Sequence, residues 1–142
     1  EELTESRGLI QGDVHDTKAY TLGGIAGSAG VFSTIGDMLR FAAMWINGGT
    51  YNGNIILKEE TVAASFKNHT EGLNIPRGLG WLLYEFGGGL YPYHTGFTGP
   101  SILVDPDKSR AIVIMTNRVH PLRNNDDYLA KRMEINNIFL SA

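Results

Sequence analysis

The sequence predicts an α+β fold, an antiparallel sheet flanked by helices. Three observations predict it. A 3.6-residue apolar period runs through residues 34–47 and a weaker one follows residue 126. Between residues 78 and 116 the period falls to two or becomes a continuous apolar run. The spacers between those runs are short and carry Gly or Asp-Pro turn chemistry, which suits hairpins rather than helical crossovers.

Composition sets the outer bounds. The 142 residues are 42% hydrophobic and 19% charged, the balance of a globular chain. A self-contained fold of this mass should expose roughly 7,000 Å² of the roughly 22,000 Å² of its extended chain. The net charge is −3 and no basic run occurs, so no nucleic-acid partner is expected. No apolar stretch approaches 18 residues, and no membrane contact is evident. With no Cys, disulfides, thiolate nucleophiles and cysteine metal knuckles are excluded. The chain opens on Glu1 rather than Met, so it is expected to be a piece or to have lost something upstream.

Residues 1–22 are polar and uneven and read as a loop or an arm laid on a larger body. Gly23, Gly24, Gly27 and Gly30 then mark a tight, small-residue loop where backbone passes close to backbone or ligand. Thr34 caps the first long helix, with Asp37 three residues on as a capping-box analogue. Met38, Phe41, Ala42 and Trp45 form its apolar stripe; Leu39, Ala43 and Ile46 widen it, predicting burial over most of its girth. Gly48-Gly49 ends it. Tyr51-Asn52-Gly53-Asn54 predicts a small hairpin into Ile55, Ile56 and Leu57, and a short helix follows over 59–66.

Residues 78–84 read as a strand with Leu79, Trp81 and Leu83 on one face. A Gly-rich turn over 86–90 leads to a second strand over 91–95. Strands over 101–104 and 111–116 flank an Asp105-Pro106 turn. The run Ile112-Val113-Ile114-Met115 predicts an inner strand covered on both faces. Asn125 can cap a final helix with Asp126 and Asp127 in its first turn, its buried side formed by Leu129, Met133, Ile138 and Phe139.

His94-Thr95-Gly96-Phe97-Thr98-Gly99 is the sharpest chemical feature. Two glycines, two hydroxyls and a titratable ring sit at a strand end. Gly96 lets a ligand approach the backbone, amides beyond it can donate to an anion, and His94 can carry a proton near neutral pH. A plain β-turn with a surface His fits the same residues. His15-Asp16 and Asn117-Arg118-Val119-His120 are polar clusters. Arg118 could neutralise a carboxylate and His120 could bridge two segments, but the preferred reading is that Asn117 and Arg118 satisfy loop carbonyls. None of His15, His69, His94 and His120 has metalloprotease spacing, and no metal or cofactor is expected. Asn68-His69-Thr70 matches a glycosylation triplet, and Trp45 and Trp81 read as core. No Ser-x-x-Lys and no Gly-x-Ser-x-Gly occurs.

Three segments together resemble one family. They are Gly12-Asp13-Val14-His15-Asp16, the run LGGIAGSAGVF over 22–32 with Ser33-Thr34, and HTGFTGPSILVDPDKSRAIVIMTNRVHP over 94–121. They are similar to the serine β-lactamase and penicillin-binding-protein-like family, in the branch of class C β-lactamases, DD-peptidases and esterases. The resemblance implies that residues 1–142 are the C-terminal portion of a single β-lactamase/transpeptidase-like catalytic domain. It implies a serine hydrolase acting through an acyl-enzyme on a peptide, β-lactam or ester. His94-Thr95-Gly96 matches the family's Lys/His-Thr-Gly strand. His94 would tune electrostatics near the nucleophile and base, Thr95 and Gly96 would meet the substrate, and the Phe97 amide would supply one oxyanion donor. The family's Ser-x-x-Lys and Tyr-x-Asn elements are absent. They precede this region in the family, so the expected partners are a small-molecule or peptide substrate and the N-terminal part of the same domain. By itself the segment is expected to be inactive. A non-catalytic binding protein that keeps the fold is the alternative. Members often work outside the cytoplasmic membrane of bacteria, so the resemblance admits the cell envelope or the extracellular space for the parent protein and leaves its compartment open.

Overall fold

The computed structural model describes residues 2–124 and 127–142. The chain folds as an α+β unit whose central feature is a four-stranded antiparallel sheet of order β5-β6-β7-β8, formed by Leu82–Phe86, Gly89–Thr95, Ser101–Asp105 and Arg110–Ile114. Before it come the two-residue pairs β1 (Leu3–Thr4) with β2 (Gly8–Leu9) and β3 (Thr50–Tyr51) with β4 (Asn54–Ile55). Helices α1 (Thr17–Thr21), α2 (Ile35–Ile46), α3 (Glu59–Phe66) and α4 (Asp127–Ser141) complete the order.

The pleat of β7 distributes the core. Ile102 and Val104 turn to α2, where they meet Ala42 and Trp81. Leu103 turns the other way, onto Tyr84, Tyr93 and Leu140 beneath α4. All five residues of β7 are buried. Burying Leu103 alone contributes about 2 kcal/mol. Trp45, Trp81 and Phe66 pack with ring centroids 5.2–5.8 Å apart, so both tryptophans are core. Asp105 is 2% exposed and receives Arg110 Nε at 2.9 Å, which closes the β7–β8 turn.

Several expectations change. Residues 2–22 contain the β1–β2 pair and helix α1, capped by Asp16, whose side chain accepts from the Ala19 amide at 2.8 Å. Elements this short present no full apolar period, so the sequence shows only an arm. The strand expected over 78–84 is displaced to Leu82–Phe86, and Leu79 is exposed although Trp81 and Leu83 are buried. The turn narrows to Gly87-Gly88, both with positive φ. In β8, Ala111 and Val113 pack into the core on the α2 side and Ile112 into the core on the α4 side, but the strand is only half-buried, Met115 is exposed, and β8 is an edge strand among the described residues. The inner, fully buried strand is β7.

Helix α2 has the predicted cap: Thr34 Oγ1 accepts from the Asp37 amide at 3.2 Å. Its burial is narrower than predicted. Ala42 and Met44 are buried, whereas Ile35, Leu39 and Phe41 are exposed. Asn52 and Gly53, both at positive φ, make the β3–β4 turn, but the strand stops at Ile55, short of Ile56 and Leu57. A Cβ on Gly49 would stand 2.2 Å from the Leu57 carbonyl, so only glycine fits where α2 ends. Helix α3 has its expected bounds. In α4, Leu140 and Asn136 are buried, while Met133 and Ile138 of the predicted buried side are exposed. The predicted cap Asn125 and Asp126 lie outside the described residues.

Candidate functional site

The C-terminal end of β6 places His94 and Thr95 at the mouth of a cavity of about 680 Å³. His94 pairs with Ile102 across the sheet, so by the pleat it shares the face that α2 covers further along. It is exposed and lines the cavity, as do Thr95, Gly96 and Phe97. The glycine loop at 27–30, Val31, Phe32 and Met38 of α2 line the same cavity. The close backbone approach predicted for that loop occurs at Gly30, where a Cβ would stand 2.7 Å from the Gly24 carbonyl.

The segment after β6 is held from its carbonyl side. Arg118 Nε donates to the Phe97 carbonyl at 2.8 Å, and the Arg118 amide donates to the Thr98 carbonyl at 2.8 Å. The Gly99 carbonyl accepts from Tyr128 Oη at 2.9 Å and from Arg132 Nη1 at 3.2 Å, both from α4. The Gly96 and Gly99 amides close the turn onto the carbonyls of Pro100 and Gly96. Among the described residues, the Phe97 and Thr98 amides donate to no protein acceptor. Gly99 is the residue that must be glycine. Its φ is +124°, and a Cβ would stand 2.4 Å from Thr116 Oγ1. A Cβ on Gly96 would meet only the Pro100 ring, at 3.4 Å.

The polar clusters sort themselves around this segment. Arg118 satisfies loop carbonyls, the reading preferred from sequence. His15 joins the site: its ring stacks on Phe97 with centroids 5.6 Å apart, and its Nε2 lies 2.6 Å from Glu2 Oε2. Asp16 serves as the α1 cap. His69 Nε2 donates to the Ala64 carbonyl at 2.7 Å, a structural use. The Asn68 side chain accepts from the Thr70 amide and is built into its own loop. His120 is exposed and is not among the residues lining the cavity. Among the described residues, no group of three or more His, Cys, Asp or Glu could hold a metal, and no helix is long and apolar enough to cross a membrane.

Glu2, Arg123, Tyr128 and Arg132 carry no local signal and were not legible as site residues. The Arg123 fork, at 2.6 and 2.9 Å, holds the Glu2 carboxyl below its usual range, against the opposing cost of burial and with further help from His15. Glu2 and Arg123 are 121 positions apart, and no spacing rule reaches that far.

Such a sheet, bearing His-Thr-Gly at a strand end beside an open cavity, defines a β-lactamase-like or penicillin-binding-protein-like fold. The chain belongs to the Beta-lactamase family, whose model matches residues 3–135. Its relatives include a protein of Salmonella enteritidis PT4 named "Putative D-alanyl-D-alanine carboxypeptidase", 39% identical over 127 residues. Proteins of the same name from Salmonella paratyphi B and Salmonella newport are each 38% identical over 127 residues. Each alignment covers 81% of this chain and 29% of the relative, so the chain spans less than a third of the length of the curated relatives it matches.

Proposed function

We propose that these residues are the C-terminal portion of a single catalytic domain and form one wall of a serine hydrolase site. The nucleophilic Ser and its activating Lys, and the Tyr element, lie on chain outside them. The reading is carried by the asymmetry of the segment after β6. The carbonyls of Phe97, Thr98 and Gly99 are all occupied, while the Phe97 amide has no acceptor among the described residues and its residue lines the cavity. A backbone donor held in place and left unsatisfied suits an oxygen that gains negative charge during acyl transfer.

In this mechanism the nucleophile attacks the substrate carbonyl, and the carbonyl electrons move onto its oxygen. The Phe97 amide and the nucleophile's own amide donate to that oxyanion. Thr95 faces the substrate, and His94 sets the potential around the nucleophile and base. Collapse of the tetrahedral adduct expels the leaving amine or alcohol, which takes up the proton the base removed from the nucleophile, and leaves the acyl-enzyme, which water then cleaves. The name shared by the relatives supports a peptide ending in D-alanyl-D-alanine as substrate. His rather than Lys at position 94 weakens a β-lactam assignment.

The area of the molecule supports the split site. It exposes 9118 Å², against the roughly 7,000 Å² expected of a self-contained fold of this mass. The test is covalent capture. The complete polypeptide carrying these residues is incubated with a penicillin or a fluorophosphonate and weighed intact. One adduct is expected, along with release of D-alanine from a D-alanyl-D-alanine peptide. Residues 1–142 alone should show neither adduct nor ester turnover. Robust hydrolysis by residues 1–142 alone, with contaminants excluded, would falsify the split site. Absence of any adduct on the complete polypeptide would favour a binding protein that keeps the fold.

A further inference from the structure

The Phe97 ring is 56% exposed, yet three basic groups surround it. His15 stacks at 5.6 Å with an interplanar angle of 24°. The guanidinium carbons of Arg118 and Arg123 lie 4.8 and 5.5 Å from the ring centroid. Their geometry requires that His15 and Arg123 stay where they are.

One carboxylate ties both of them. Glu2 is 5% exposed, and both its oxygens are occupied. Oε1 accepts from Arg123 Nε at 2.6 Å; Oε2 accepts from Arg123 Nη2 at 2.9 Å and lies 2.6 Å from His15 Nε2. A two-pronged guanidinium–carboxylate pair fixes orientation as well as distance. The backbone around it is also secured. The Leu3 amide donates to the Pro121 carbonyl at 2.7 Å, and the Ile10 amide to the Glu2 carbonyl at 2.9 Å. Arg7 donates to the carbonyls of Val14 and His15 at 2.8 and 3.2 Å. The arm at 2–15 is thus stitched to the loop at 118–123, and the Phe97 ring is caught between them.

We infer that Glu2 is a positioning residue for the segment after β6: it holds His15 and Arg123 against the Phe97 ring and so fixes where the Phe97 amide stands. The inference rests on the proposed function for its chemical consequence, because only an amide that receives an oxyanion makes that placement matter to rate. Its structural part, the hold on Phe97, is independent of any reaction. The turn between Gly96 and Gly99 contains glycine at both ends, so its own torsional restraint is weak and outside contacts set its position.

The experiment uses the complete polypeptide and two readouts. Amide exchange is followed at the hydrogen-bonded amides of Gly96 and Gly99, with the buried strand amides of Leu103 and Val104 as internal reference. Acylation by a penicillin and turnover of a D-alanyl-D-alanine peptide are measured on the same samples. Glu2→Gln should speed exchange at Gly96 and Gly99 by about tenfold while leaving the reference amides unchanged. It should lower kcat about tenfold with KM within twofold, since a displaced oxyanion donor acts on the transition state. Arg123→Gln should behave alike. The double variant Glu2→Gln with Arg123→Gln should recover part of the loss, because two neutral amides can pair. Phe97→Pro, which removes the amide itself, separates the two ideas. If Phe97→Pro abolishes acylation with the reference amides intact and Glu2→Gln leaves kcat and loop exchange unchanged, the inference about Glu2 is wrong and the site reading stands. If Phe97→Pro acylates normally, the site reading fails, and the catalytic role of Glu2 fails with it.

Discussion

The two sides of the sheet finish differently. Under α4 the apolar residues close on one another: Tyr84, Tyr93, Leu103 and Leu140 are all at most 8% exposed. On the α2 side a second core forms around Ala42, Trp81, Ile102 and Val104, but the apolar character does not stop there. It continues outward through Ile35 and Leu39 of α2 and through the glycine loop, where Ile25 is 91% and Val31 90% exposed. A helix that is apolar around most of its girth belongs in an interior. Here α2 has one apolar side buried by this chain and another, with Ile35 and Leu39, that stays half exposed. That second side adjoins the cavity, whose lining includes Val31, Phe32 and Met38. The contrast teaches that the sealed face is completed by these residues alone, whereas the open face leaves its apolar side chains exposed among the described residues.

The comparison can be broken most severely at its sealed side. Leu103→Ala should remove about 3 kcal/mol of stability in denaturant unfolding, because the site lies between fixed rings and cannot collapse. Ile25→Ser, on the open side, should change it by less than about 0.5 kcal/mol. Equal effects would erase the distinction. Gly99→Ala tests the junction of the two sides. Forcing a Cβ against Thr116 Oγ1 at positive φ should cost about 2 kcal/mol and loosen the Gly99 carbonyl from Tyr128 and Arg132, read as faster exchange at 96–99. Thr34→Ala removes the α2 cap and should cost about 1 kcal/mol, felt on the α2 side before the α4 side in site-resolved exchange.

The smallest global effect should come from acid. The Glu2 carboxyl is held below the ordinary carboxylate range by Arg123 first, against the opposing cost of burial, and by His15 after it. A carboxyl with a lowered folded pKa contributes stability that is complete above its unfolded value and is lost as pH falls through the folded one. The groups facing Glu2 are Arg123 from the loop at 118–123 and His15 from the segment before α1. Wild-type protection at Gly96 and Gly99 should therefore be complete above the ordinary carboxylate range and fall as the pH drops below it. Glu2→Gln should show no matching step. A step of equal size in both would assign the acid response to other carboxylates.

Much of this molecule was legible before any coordinates. The Thr34 cap, the hairpin turn at Asn52-Gly53, helix α3, the sheet's hairpins and the His-Thr-Gly strand end all follow from rules that act over a few residues. The family resemblance rested on three such stretches, and the match over residues 3–135 bears it out. The misplacements also have local causes. Leu79, Met133 and Ile138 satisfied a periodic pattern, yet periodicity cannot say whether a neighbour exists to cover the stripe. The β8 run was read as an inner strand because coverage on two faces and a place inside the sheet leave the same apolar signature.

By itself, then, the sequence determined the element types, the antiparallel hairpins and the chemical character of residues 94–99, because torsional preference and apolar spacing act between near neighbours. Only the tertiary structure decided what grips that segment. Glu2 meets Arg123 across 121 positions, Arg118 reaches Phe97 across 21, and Tyr128 and Arg132 reach Gly99 across 29 and 33. Those contacts are hydrogen bonds between residues distant in the chain, and they arise only once the hydrophobic core has brought the elements together.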